Sequence, residues 1–122
     1  MTPDLTGEQL ASVACETTLD LRTDGGWYLT IENDYALERP GFPRLDTAAG
    51  QEDEIVSVLE SLVGRDVRAI VSGSGGLALA IGDATVRVDP SPDYESWSMV
   101  GPRQERVVST PGGELATWGP AE

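Results

Sequence analysis

The sequence predicts a mainly β fold of the α+β kind. Two similar antiparallel hairpin units and a three-strand C-terminal tail form a β-sandwich or open barrel with one covering helix. Three observations predict it. First, the opening third of the chain is echoed in its middle. Leu5, Gly7, Leu10 and Val13 are answered by Leu62, Gly64, Val67 and Ile70; after a one-residue slip Leu19 and Leu21 answer Leu77 and Leu79; then Gly25, Leu29 and Ile31 answer Gly82, Val86 and Val88. Second, short alternating apolar segments are broken by Gly and Pro (14 and 8 residues), which favours many brief elements. Third, only one stretch carries a helical period.

The elements follow in order. Residues 1–8 read as a frayed start and 9–15 as a first strand. Thr17 to Thr23 alternates and is rich in β-formers, Asp24-Gly-Gly26 is a tight-turn signal, and Trp27 to Glu32 forms the partner strand. Trp27, Leu29 and Ile31 share one face of it; Tyr28, Thr30 and Glu32 share the other. Tyr35 to Glu38 adds a short strand, broken by Arg39-Pro-Gly-Phe-Pro43, and 44–51 reads as a loop. A helix is predicted over about 51–63, because Ile55, Val58, Leu59 and Leu62 make one apolar stripe. Glu52, Asp53 and Glu54 occupy its first turn, where carboxylates favour the helix dipole, and Gly64 ends it.

Residues 66–72 form the next strand, Gly73 to Gly76 a hairpin turn, and Leu77–Ile81 with Thr85–Val88 a second hairpin. Pro90 to Pro92 is a break. Three tail strands follow at about 96–100, 105–109 and 114–118. The pseudo-repeat units therefore run over about 5–33 and 62–88, within one domain of 1–122. Neither unit buries its apolar face alone, so the economical arrangement packs the two together.

Net charge is −13, and every basic residue is Arg. Residues 1–60 hold 13 acids against 3 Arg, and residues 61–122 hold 8 against 5, so the acidity sits in the first half. Such a field repels nucleic acid and anionic membranes and attracts basic partners. The N-terminus lacks a basic start and a long apolar run, which predicts a cytoplasmic protein without a membrane span. One cysteine, Cys15, rules out an intrachain disulfide; it reads as a small buried residue.

With no His, a zinc site and His-based nucleophilic catalysis lack their groups. Gly73 to Gly76 lacks the Gly-Lys-Ser/Thr of a phosphate loop. The acids of Asp89 to Glu95 lack calcium-loop spacing and read as a solvated turn. Neither a cofactor nor a metal is expected. Glu52, Asp53 and Glu54 read first as a charged helix start and second as a contact surface for Arg or Lys. Tyr35, beside Asp34 and near Glu38 and Phe42, reads either as a partly buried loop aromatic or as part of an aromatic-acidic interface. Trp97 and Trp118 read as core.

Two segments carry a family resemblance: Glu16-Thr-Thr-Leu-Asp-Leu-Arg-Thr-Asp-Gly-Gly-Trp27 running on to Ile31-Glu-Asn33, and Asp93-Tyr-Glu-Ser-Trp97 with Pro111-Gly-Gly-Glu-Leu-Ala-Thr-Trp118. Together they resemble a family of short acidic β-rich proteins, common in actinobacteria, of unknown function. The resemblance covers most of the chain, matches least at 39–50, and implies no catalytic residues. Proteins of this general kind often accompany polymorphic toxins as immunity proteins. The expectation is thus a non-enzymatic binding protein that occludes a basic toxin through Asp34, Tyr35, Glu38, Glu52, Asp53 and Glu54. Two alternatives stand beside it: a module that self-associates as a homo-oligomer through sheet edges or an apolar patch, and a small-molecule binder with a pocket between the units.

Overall fold

A computed structural model describes residues 5, 7–71, 75–90, 92, 93, 95–112 and 114–118. Parts of five expectations lie outside the described residues: the frayed start (1–4 and 6), the end of the 66–72 strand (72), the 73–76 turn (73 and 74), the Pro90 to Pro92 break (91) and the Asp89 to Glu95 loop (91 and 94). So does the side chain of Trp118.

The chain forms β1 (Leu10–Cys15), β2 (Leu19–Thr23), β3 (Tyr28–Ile31), β4 (Ala36–Glu38), β5 (Leu45–Asp46), α1 (Glu52–Ser61), β6 (Val67–Val71), β7 (Leu77–Ile81), β8 (Ala84–Val88), β9 (Trp97–Val100), β10 (Arg106–Ser109) and β11 (Leu115–Trp118). These strands make two antiparallel sheets. One has six strands in the order β1-β2-β3-β9-β10-β11, the other five in the order β5-β4-β8-β7-β6. The six-stranded sheet joins the meander β1–β3 to a second meander, β9–β11, and the five-stranded sheet extends the meander β6–β8 with β4 and β5. The tail extends the first sheet through β9 beside β3, and β4 extends the second beside β8.

Period-two alternation sets the inward faces. Leu19, Leu21, Leu29, Ile31, Leu77, Leu79, Ile81, Val86, Val88, Trp97, Met99 and Val107 share one core. The residues matched between the two hairpins fall on this inner face in both sheets. Helix α1 packs against β1 and β5, one edge strand from each sheet. Ile55 and Leu59 are fully buried and Leu62 is buried just past the helix, while Val58 is half-buried.

The segment expected as a loop over 44–51 holds two elements instead. They are β5, paired with β4, and a 3-10 turn over Thr47–Ala49. The Asp46 side chain caps that turn by accepting from the Ala48 N–H at 2.9 Å. A two-residue strand has no period to read, so its partner alone defines it.

The β1–β3 and β6–β8 meanders meet through reciprocal bonds. The Leu10 N–H donates to the Arg65 carbonyl at 3.0 Å, and the Val67 N–H donates to the Glu8 carbonyl at 3.0 Å. Gln9 and Asp66 form an antiparallel bridge between them. Exchanging each residue for its match exchanges the bonds, so the pattern has a local twofold at that bridge. The turns leading in also correspond. Glu8 N–H donates to the Leu5 carbonyl (2.9 Å) and Arg65 N–H to the Leu62 carbonyl (3.0 Å). Gly7 and Gly64 supply the positive φ of 83° and 94° that these turns require.

Gly25, in the β2–β3 turn, is needed for a close approach. The Glu8 carboxylate accepts from the Gly25 N–H at 3.1 Å and from the Thr23 hydroxyl, and it occupies the space a Cβ would fill. Gly25→Ala is therefore expected to displace Glu8 and lower stability by about 1–2 kcal/mol. In a Glu8→Ala background the same change should cost much less in denaturant unfolding. An equal cost in both backgrounds would refute the contact.

Candidate functional site

A polar concavity lies where the β1–β2 turn, the β3–β4 connection and the start of α1 meet. It is a cleft of about 220 Å³ lined by Thr17, Thr18, Glu32, Asn33, Asp34, Tyr35, Thr47 and Glu52, floored by Leu19 and Ile31. Hairpin pairing builds one wall, because Leu19 opposite Ile31 carries Thr17 and Thr18 beside Glu32 and Asn33. Thr47 builds the other. Its hydroxyl donates to Asp34 Oδ1 at 2.9 Å and accepts from the Tyr35 N–H at 3.1 Å. Its N–H returns to the Tyr35 carbonyl at 3.1 Å. The β3–β4 connection is thereby fixed against the 3-10 turn.

Glu52 enters from the first turn of α1, and the Tyr35 hydroxyl donates to its Oε2 at 3.3 Å. The Cys15 thiol lies close enough to Tyr35 and Glu52 to feel both groups. Burial, reinforced by the Glu52 carboxylate, pushes the Cys15 thiol above its ordinary value. The same two causes, in the same order, with Cys15 third, hold the Tyr35 hydroxyl far above its own. Cys15 is half-buried and remains a free thiol.

The six residues expected to bind a partner separate in space. Asp34, Tyr35 and Glu52 line the cleft. Asp53 and Glu54 are exposed beside it on α1 without lining it. Glu38 stands apart on β4 with its charge already met, ion-paired with Arg44 at 3.0 Å and with Arg87. The Arg87 hydrogen bond is the main reason its carboxyl lies below the usual carboxylate range.

Tyr35 differs from the interface reading. It is 4% exposed and belongs to the core cluster, so it offers its hydroxyl to Glu52 rather than its ring to a partner. Phe42 stays exposed, with the Arg39 guanidinium 3.9 Å over its ring. The other cleft residues, Glu32, Asn33, Thr17, Thr18 and Thr47, were legible only as strand ends and loop. Their signal was the hairpin register, which predicts that the segment before β2 lies beside the segment after β3.

The cleft is rich in acceptors. Three exposed carboxylates, Glu32, Asp34 and Glu52, stand around threonine and asparagine side chains. Chemically this suits multiple N–H donors on a cation, such as a guanidinium or an ammonium. Among the described residues no group of three or more His, Cys, Asp or Glu could hold a metal ion. None of the helices there is long and apolar enough to cross a membrane. An apolar cavity bordered by Leu10, Leu21, Val67, Leu79 and Met99 has a volume of about 20 Å³.

Comparison with curated proteins and with solved structures gives no match. The model of one family matches residues 1–119, so the chain belongs to DUF6188, a family of unknown function.

Proposed function

We propose that this is a non-enzymatic acidic binding protein of the immunity type, which acts in the cytoplasm and neutralises a basic toxin by occluding it. The observation that carries the reading is the convergence of Glu32, Asp34 and Glu52 on one polar cleft. The net charge of −13 supports it by drawing a basic partner in from a distance. An Arg or Lys side chain of the partner enters the cleft and trades water for carboxylate and hydroxyl acceptors. The exposed Asp53 and Glu54 beside the cleft extend the attractive field without forming the pocket.

The test is co-expression with the basic proteins encoded beside this gene, followed by isolation of the complex. Protection and a complex that weakens as salt rises are expected. Asp34→Asn with Glu52→Gln should weaken binding about tenfold or more, each tenfold being about 1.4 kcal/mol. Glu54→Gln should change mainly the association rate. No protection and no complex for any neighbour would sink the reading.

A further inference from the structure

We infer that the free edge of β6 pairs with the same edge of a second copy, about a twofold axis at Ile70, joining two five-stranded sheets into one. Sheet edges are ordinarily blunted by bulges, shortness, proline or charge. Among the other edge strands, β1 has a register shift between Leu10 and Ser12 and β5 is two residues long, while β11 is uncharged and one residue shorter than β6. The five residues of β6 contain no proline and no carboxylate, and their ladder to β7 is regular. Ile70, on its outer face, is 66% exposed, more than any other large apolar side chain among the described residues.

The bonds already made on β6 select the register. The Gly82 N–H donates to the Asp66 carbonyl at 2.9 Å, so Asp66 turns its backbone toward the hairpin. The Val67 N–H turns the other way, to the Glu8 carbonyl. Antiparallel alternation then directs the N–H and C=O groups of Ala69 and Val71 outward, and no strand among the described residues pairs with them. A twofold at Ala69 would call on Val67, whose N–H is occupied. A twofold at Arg68 would set two guanidinium groups opposite each other.

A twofold at Ile70 uses only the open groups. Ala69 of each copy exchanges both bonds with Val71 of the other. The two Ile70 side chains meet as a non-hydrogen-bonded pair, the closer of the two antiparallel pairings. The edge is thus complementary to itself, as a twofold dimer requires. Charge points the same way. Two chains of net charge −13 repel each other, and β6 is a carboxylate-free place for them to meet.

Sedimentation of the full chain tests this. Its mass should rise from one chain to two as salt screens the repulsion, the opposite of the salt response expected for a basic partner. Ile70→Lys should return the mass to one chain without lowering the melting temperature of the monomer. In a Cys15→Ser background, oxidised Ile70→Cys should give a covalent dimer and Arg68→Cys should not. A chain that stays single at every salt concentration would overturn the inference. So would a dimer that survives Ile70→Lys, or equal cross-linking by the two cysteine variants.

Discussion

Trp97→Ala is expected to destabilise the protein by about 3–5 kcal/mol, the usual cost of removing a large aromatic from a packed core. Domains of this size are stable by about 5–15 kcal/mol, so the variant should be close to unfolding. Trp97 has no exposed surface. It sits on β9 opposite Ile31 of β3, in the middle of the six-stranded sheet. Its Nε1–H donates to the Gly75 carbonyl at 2.9 Å, and the Ser109 hydroxyl donates to the same oxygen at 3.0 Å. Two strands of one sheet therefore hold Gly75, just ahead of β7 in the other, and the indole both fills the core and ties the layers.

Trp97→Phe separates these roles. It keeps much of the apolar volume and loses the N–H, while Ser109 still serves the Gly75 carbonyl. A cost of about 1–2 kcal/mol is expected from the lost bond and the smaller ring. Denaturant unfolding followed by circular dichroism measures both variants. A cost below about 1 kcal/mol for Trp97→Ala would mean that the indole is not part of the packed core.

Much of the fold was legible because its information is local. The alternation of Leu19 to Thr23 and of Leu77 to Val88, with glycine turns between strands, declares both hairpins and their inner faces. Ile55, Leu59 and Leu62 declare the helix. What joins the pieces is non-local and leaves no local sign. Nothing in Trp97 to Val100 says that this strand lies beside β3 rather than β8.

The site divides along the same line. Asp34 and Glu52 could be chosen by charge, and their convergence follows from a threonine thirteen residues downstream of Asp34, Thr47. Glu38 looked equivalent by charge. It is neutralised by Arg87, 49 residues away, across a strand pairing that no local pattern announces. Tyr35, Ala36 and Leu37 are all buried. A segment covered on both faces shows no alternation, and its tyrosine could not be told from a surface aromatic.

Alkaline pH should destabilise the protein through the wall of the cleft. The unperturbed values are 9.0 for the Cys15 thiol and 10.0 for the Tyr35 hydroxyl, and burial raises both in the folded chain. The folded state therefore keeps these protons after the unfolded state has released them. Their contribution is fully present below about pH 9, the unfolded thiol value. It is lost as pH rises through the unfolded values toward the folded ones, at up to about 1.4 kcal/mol per pH unit for each proton. The two groups share Glu52 and influence each other electrostatically, so they should titrate as a pair. Tyr35→Phe should cost about 1 kcal/mol at neutral pH, because Glu52 loses a donor. Above pH 10 the variant should fall less steeply than the wild type, and the two stabilities should converge. Glu52→Gln should also flatten the decline in part, since it removes the second cause of both shifts and leaves burial, the first. Stability measured by denaturant unfolding from pH 7 to 11 tests this. A decline identical in wild type, Tyr35→Phe and Cys15→Ser would show that other groups govern it.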